Sequence, residues 1–326
     1  MAVYTEVSFD EAAALFERLD TGALTALQPI ASGIENTNYF ADTAKGRYVL
    51  TLFERLTHAQ LPFYLRLMKH LAERGIPVPR PHADGSGELL HTLHGKPAAV
   101  VERLRGRHHL APDAVHCAMV GRMLARMHLA AQDFPLVQPN LRGLAWWAET
   151  VPVIRPFVAP ELAALLDDEL AFQQQLATSA AYQGLPRAAI HADLFRDNVM
   201  FEPAEDGSDR LGGFFDFYFA GVDTLLFDIA VCLNDWCIAL DSGRLAEDRA
   251  QAFVAAYDAV RPLTGAEARL MPALMRAAAL RFWVSRLWDL HLPRDASVLT
   301  AHDPTHFERV LRERVRTPWH PDRAAA

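Results

Sequence analysis

An α+β chain of two lobes is what this sequence predicts, with a five-stranded antiparallel sheet and one helix in the first lobe and a mainly helical second lobe. Three observations predict it. The chain has 326 residues, enough for one or two domains that share a cleft. Strand-like runs punctuated by turn signals crowd the part before Arg105, and from Asp113 onward apolar residues recur at helical spacing. The expected lobes are residues 1–105 and 106–326, parted near Arg105-Gly106.

The elements follow in order. Ser8 with Glu11 three places on forms a capping box, and the apolar spacing after it predicts a helix over 9–19. Runs at 24–30, 37–43 and 47–53, separated by Ser32-Gly33 and Lys45-Gly46, read as an antiparallel meander. Pro62 precedes a periodic stretch through Leu65, Met68 and Leu71 that stops at Gly75, so one helix crosses there. Two further strands, 88–93 and 98–104, flank His94-Gly95 and bring the sheet to five. Met119, Met123, Leu124, Met127 and His128 then open the helical part, which continues over 162–177, 245–257 and 266–290. Its one strand-rich interruption, 187–217, carries the densest polar signature in the chain.

Composition removes several classes of function. Forty acidic against 32 basic side chains give a formal charge of −8, which disfavours a generic nucleic-acid surface because phosphate backbones need clustered Lys and Arg. No run of apolar residues is long enough to span a membrane, and the acidic start lacks a signal peptide's basic end. The expectation is a cytoplasmic protein without nucleic-acid or membrane partners. The three cysteines, Cys117, Cys232 and Cys237, are too few for a disulfide framework and read as buried filler. Among the 14 histidines there is no H-E-x-x-H, and His108 and His109 point different ways on any regular element, so the histidines suggest no metal site.

The interruption holds His191-Ala192-Asp193-Leu194-Phe195-Arg196-Asp197-Asn198 between two apolar runs. H-x-D with Asn five residues after the Asp arises by accident on the order of once in a hundred chains. A hairpin turning through 205–209 would pair the strand at 199–202 with the one at 211–215, and antiparallel pairing brings Asn198 and Asp216 to the same open end. A hard divalent cation that also binds phosphate oxygens needs an oxygen pair of that kind. Asp193, on the same loop, is then placed to orient an attacking hydroxyl and take its proton.

These spacings resemble the catalytic loop and metal-binding aspartate of the protein-kinase-like superfamily, in its aminoglycoside-phosphotransferase and choline-kinase branch, which implies the two-lobed kinase-like fold. Protein kinases proper fit poorly. Asp216-Phe217-Tyr218 stands in place of D-F-G, and the A-P-E triplet, Ala159-Pro160-Glu161, precedes the loop. Within the branch the chain is similar to homoserine kinases through Gly33-Ile34-Glu35-Asn36-Thr37-Asn38-Tyr39, Tyr48-Val49-Leu50-Thr51-Leu52-Phe53-Glu54, Asp216-Phe217-Tyr218-Phe219-Ala220 and the stretch 228–236.

That resemblance implies ATP and Mg2+ as cofactors, L-homoserine as acceptor, Asp193 as the catalytic base, and Asn198 and Asp216 as metal ligands. His191 and Asp228 are implied as braces of the loop, Asp228 having helix capping as an equal alternative. Nucleotide contacts fall on Ser32, Gly33, Asn36, Asn38, Thr51, Glu102 and Leu104. Thr51 stands where the superfamily carries a lysine against the phosphates. This leaves the phosphate clamp unassigned, with Arg55 and Lys45 as candidates. A homoserine pocket needs one acidic and one cationic group near Asp193, for which Tyr218, Asp235, Arg281 and Arg286 are candidates. Two rivals stay open: a kinase of the same fold for choline, an aminoglycoside or methylthioribose, and a non-catalytic nucleotide-binding pseudokinase, suggested by the missing lysine.

Overall fold

The computed structural model describes residues 5–30, 36–292 and 302–322. Ser32 and Gly33, both nucleotide-binding candidates, lie outside the described residues. The chain divides into two units, Met1–Gly106 with Gly212–Phe215, and Arg107–Leu211 with Asp216–Ala326.

The first unit begins as its capping box dictates. Glu11 N–H donates to Ser8 Oγ at 3.3 Å and Ser8 N–H donates to the Glu11 carboxylate at 2.9 Å, which starts α1 (Phe9–Arg18). Strands β1 (Leu24–Pro29), β2 (Asn36–Thr43) and β3 (Arg47–Phe53) form the meander. Helix α2 (Leu61–Glu73) ends before Gly75, whose φ of 75° lets the chain leave the helix. Strands β4 (His91–Leu93) and β5 (Lys96–Glu102) complete one antiparallel sheet of order β1-β2-β3-β5-β4. One face of it is apolar at alternate positions, Tyr39 and Ala41, Tyr48, Leu50 and Leu52, Ala98 and Val100, and packs on Ala12, Leu15 and Phe16 of α1. Strand β4 is shorter than the expected 88–93, because Asp84 claims that stretch for a turn: its Oδ1 accepts from Ser86 N–H and Glu88 N–H at 2.9 and 3.1 Å.

The second unit is helical apart from two small ribbons. Its helices are α3 (Ala114–Ala130), α4 (Leu144–Ile154), α5 (Pro160–Ala177), the single turn α6 (Ala180–Gln183), α7 (Leu225–Trp236), α8 (Glu247–Asp258), α9 (Gly265–His291) and α10 (Thr305–Arg316). Helix α7 is buried along its whole length and packs against α9. Strand β6 (Arg187–Ile190) pairs with β9 (Gly221–Thr224), a ribbon the sequence reading did not anticipate, and β7 (Val199–Pro203) pairs with β8 (Asp209–Phe214). The turn between β7 and β8 closes through Gly207 N–H to Ala204 O and Ala204 N–H to Ser208 O. Among the described residues no helix is long and apolar enough to cross a membrane.

Helices α3 and α8 approach so closely that a Cβ on Gly121 would lie 2.2 Å from the backbone oxygen of Phe253. No side-chain rotation relieves a clash with backbone. Gly121→Ala is therefore expected to lower unfolding stability by about 3 kcal/mol, the upper end for overpacking, read as a lower denaturant midpoint with an unchanged slope.

Candidate active site

The site is built from the seat of one loop. Pairing of Arg187 with Thr224 sets the start of β6 beside the start of α7, and Asp228 in the first turn of α7 reaches back to His191, the residue after β6. Thr224 caps that helix, its Oγ1 accepting from Phe227 N–H at 3.2 Å, so Asp228 is released from capping. Its carboxylate instead accepts from His191 N–H at 2.9 Å and from Ala192 N–H at 2.8 Å. Ala192 has φ 63°, a left-handed conformation costly for a residue with a Cβ, and the fork of Asp228 holds it there. His191 sits wholly buried with its ring 4.5 Å from that of Phe217, and its Nδ1 accepts from Asp193 N–H at 3.3 Å.

Asp228 is the end of a buried relay of polar side chains. Arg261 Nη1 donates to the Tyr257 hydroxyl at 3.3 Å, which lies 2.7 Å from His128 Nδ1, and His128 Nε2 lies 3.1 Å from Asp228 Oδ2. The Asp228 carboxylate can only accept, so His128 Nε2 carries a hydrogen toward it. Arg261 is itself paired with the buried Glu267 at 2.9 Å. Burial pushes Asp228 up, but the hydrogen bond and charge of His128, with those of His191, outweigh it and hold the carboxyl below its usual range.

On this seat stands Asp193. Asn198 Nδ2 donates to its backbone oxygen at 2.8 Å and reaches its carboxylate at 3.4 Å, closing the loop upon itself. These two contacts engage the amide nitrogen of Asn198 and not its Oδ1. The buried guanidinium of Arg281, on α9, lies 3.8 Å from Asp193 Oδ1 and covers the rings of Phe219 and Phe282. Asp216 stands two residues after β8 and Asn198 immediately before its partner β7, so both sit at the same end of the hairpin. It adopts φ 64°, ψ 60° and exposes its side chain ahead of the short turn Phe217–Phe219. Burial, and then the charge of Asp216, push the Tyr218 phenol up.

Of the four head-group candidates, Arg281 and Arg286 lie near the acids of this loop and Tyr218 lies near Asp216, while Asp235 has another duty. Its Oδ2 accepts from Arg196 N–H at 2.8 Å and Arg196 Nε at 3.1 Å, and Arg196 also donates to the backbone oxygens of Asp235 and Leu110. Asp235 thus anchors the loop from beneath; burial raises its pKa and Arg196 offsets part of that. Arg286 rests over the Phe307 ring and donates to Asp303 O at 2.9 Å. Burial lowers its pKa against the opposing pull of Asp235, Asp303, Asp197 and Asp193, which places it within the field of the loop's acids.

In the first unit, Asn38 and Thr51 face each other across β2 and β3, and Thr51 Oγ1 donates to Asn38 Oδ1 at 2.7 Å. Asn36 opens β2 opposite Phe53. Glu102 closes β5, its N–H donating to Arg80 O, and the Leu104 side chain packs near Gly213. Lys45 is at the other end of β2 and β3 from Asn36, where it pairs with Asp20, so of the two phosphate-clamp candidates it is misplaced by its strand register.

The profile of the phosphotransferase enzyme family matches residues 26–263. This chain belongs to that family. The phosphotransferase is 65% identical over 98% of its length to a homoserine kinase of Polaromonas naphthalenivorans (strain CJ2), 99% of which is covered, and 59% identical over 97% to a homoserine kinase of Ralstonia pickettii (strain 12J), 96% covered. Among solved structures it is similar to an amicoumacin kinase in complex with AMP-PNP and Ca2+, with a TM-score of 0.69 at 17% identity over 95% of this chain and 94% of that one. At that identity the likeness speaks for the fold, which is the kinase-like fold expected from the resemblance.

Proposed function

We propose that this phosphotransferase transfers the γ-phosphoryl group of ATP to the hydroxyl of L-homoserine, giving O-phospho-L-homoserine, a step toward threonine. The observation that carries this reading is the seat of Asp193: a carboxylate fixed by its own loop, 3.8 Å from a buried guanidinium, on a chain 65% identical to a homoserine kinase. Asp193 accepts the proton of the attacking hydroxyl and holds its oxygen in line with the phosphorus. Arg281 favours the ionised carboxylate and, with Arg286, offers the planar donors that suit an amino acid's carboxylate. Choline has no carboxylate to meet them and calls for an aromatic cage instead.

The donors Asn198 Oδ1 and the exposed Asp216 carboxylate are hard oxygens, the type that Mg2+ accepts alongside phosphate oxygens. When bound, the ion supplies positive charge to the transferring phosphoryl group. Asn38, Thr51, Asn36, Glu102 and Leu104 are proposed to contact the nucleotide, with Ser32 and Gly33.

The deciding measurement is ADP release with a panel of acceptors: L-homoserine, choline, ethanolamine, an aminoglycoside and methylthioribose. L-Homoserine is expected to give kcat/KM at least tenfold above every other acceptor. A better acceptor would overturn the substrate, and ATP binding with no acceptor phosphorylated would overturn the kinase reading.

A further inference from the structure

We propose that His109, His116 and Asp209 form a binding site for a zinc-class divalent transition metal, separate from the phosphoryl-transfer site. The three offer ligand atoms that all lie within 4.8 Å of one another. They come from three segments of the second unit: the stretch before α3, the first turn of α3, and the first residue of β8.

A neutral His116 brings no proton to its contact with Asp209. His116 Nδ1 lies 2.6 Å from Asp113 Oδ1, which accepts from it; the 3.5 Å approach of Asp113 N–H to the same nitrogen is far weaker. In the neutral ring, Nδ1 then holds the hydrogen and Nε2 is a bare lone pair. That lone pair faces Asp209 Oδ2, another acceptor, at 3.2 Å. Two such atoms at this distance repel unless a proton or a metal ion lies between them, and about 3.3 Å is the edge of a tetrahedron with ligands about 2.0 Å from a metal. His109 Nε2 approaches the same Asp209 oxygen at 4.0 Å, its ring centroid 3.9 Å from that of His116 and its plane tilted 35° to it. Its Nδ1 is buried with no hydrogen-bond partner among the described residues, so that nitrogen sets no competing orientation for the ring.

Asp113 supplies the other half of such a site, a carboxylate that fixes the tautomer of a ligating histidine. Two imidazoles and one carboxylate suit Zn2+, with a fourth position for water, and not the all-oxygen preference of Mg2+. His109 keeps 29% of its side chain exposed, which leaves an entry path. Asp209 and Asp216 stand at opposite ends of β8, on the order of 20 Å apart. The ion therefore staples the hairpin to α3 and takes no part in the transfer.

The test is titration of the full-length, chelator-treated protein with Zn2+ in excess Mg2+, followed by competition with a chromogenic chelator and by thermal melting. One tightly held Zn2+ per chain is expected, with a raised melting temperature because the ion binds the folded state. His109→Gln and His116→Gln should each weaken binding at least tenfold, and Asp113→Asn ten- to a hundredfold, with activity on Mg-ATP retained. His109→Gln, on a partly exposed side chain, is the variant least prone to misfold, and its melting without metal checks that. Unchanged affinity in the His109→Gln, His116→Gln double variant would overturn the site as adventitious binding to other histidines. Absence of binding in the parent would overturn it in favour of a protonated His116 paired with Asp209.

Discussion

Replacing Asp193 by Asn is expected to slow turnover by roughly 10²- to 10⁴-fold while leaving the fold in place. The substitution keeps the volume and planarity of the side chain and removes only the carboxylate that accepts the hydroxyl proton. The contacts that hold the loop survive it, because Asn198 binds the backbone oxygen of residue 193 and Asp228 binds the N–H groups of His191 and Ala192. Loss should therefore appear in kcat, with KM for ATP nearly unmoved and with circular dichroism and melting close to those of the parent. Steady-state ADP release against homoserine reads the first, and nucleotide titration the second. Turnover near the parent's level in a folded Asp193→Asn would remove this residue as the base. A loss confined to KM would make it a substrate anchor.

The loop was legible because everything that identifies it is local. His191, Asp193 and Asn198 fall within eight residues, and a short hairpin carries the chain back to Asp216 with one turn to read. The five-stranded sheet was legible for the same reason, since its strands follow one another with turn residues between. What the sequence concealed are contacts between distant segments. Asp228 could be read as a cap or as a brace, and only the position of Thr224 at the start of α7 decides between them. His128 and Tyr257 sit 129 residues apart and look like ordinary helix residues until α3 and α8 pack at Gly121. Asp235 looked available for a substrate ammonium, because nothing local reveals that Arg196 folds back onto it. The ribbon of β6 and β9 was missed since strands of four residues carry almost no periodic signal. The grouping of His109 and His116 with Asp209 has no local signal, since the carboxylate lies 93 residues from His116.

The largest stability effect is expected at Asp228, and it follows from how completely the fold depends on that carboxylate. Its two oxygens take three hydrogen bonds, from two backbone amides and from His128, with no exposure to water. Asp228→Ala leaves all three donors buried and unmatched, at a cost of about 3–5 kcal/mol, the range for removing one member of a buried charged pair. Ala192 also loses what holds its left-handed backbone, so turnover should fall together with stability, unlike the Asp193 variant. The pH dependence fixes the sign. The folded carboxyl titrates below the unfolded one, so Asp228 stabilises the protein at neutral pH and that contribution is lost as pH falls below about 4. Denaturant midpoints from pH 7 to pH 3 should therefore drop more steeply in the parent than in a folded Asp228→Asn, which has no carboxylate to protonate. Parallel curves for the two proteins would mean that the charge of Asp228 adds nothing, and that shape alone seats the loop.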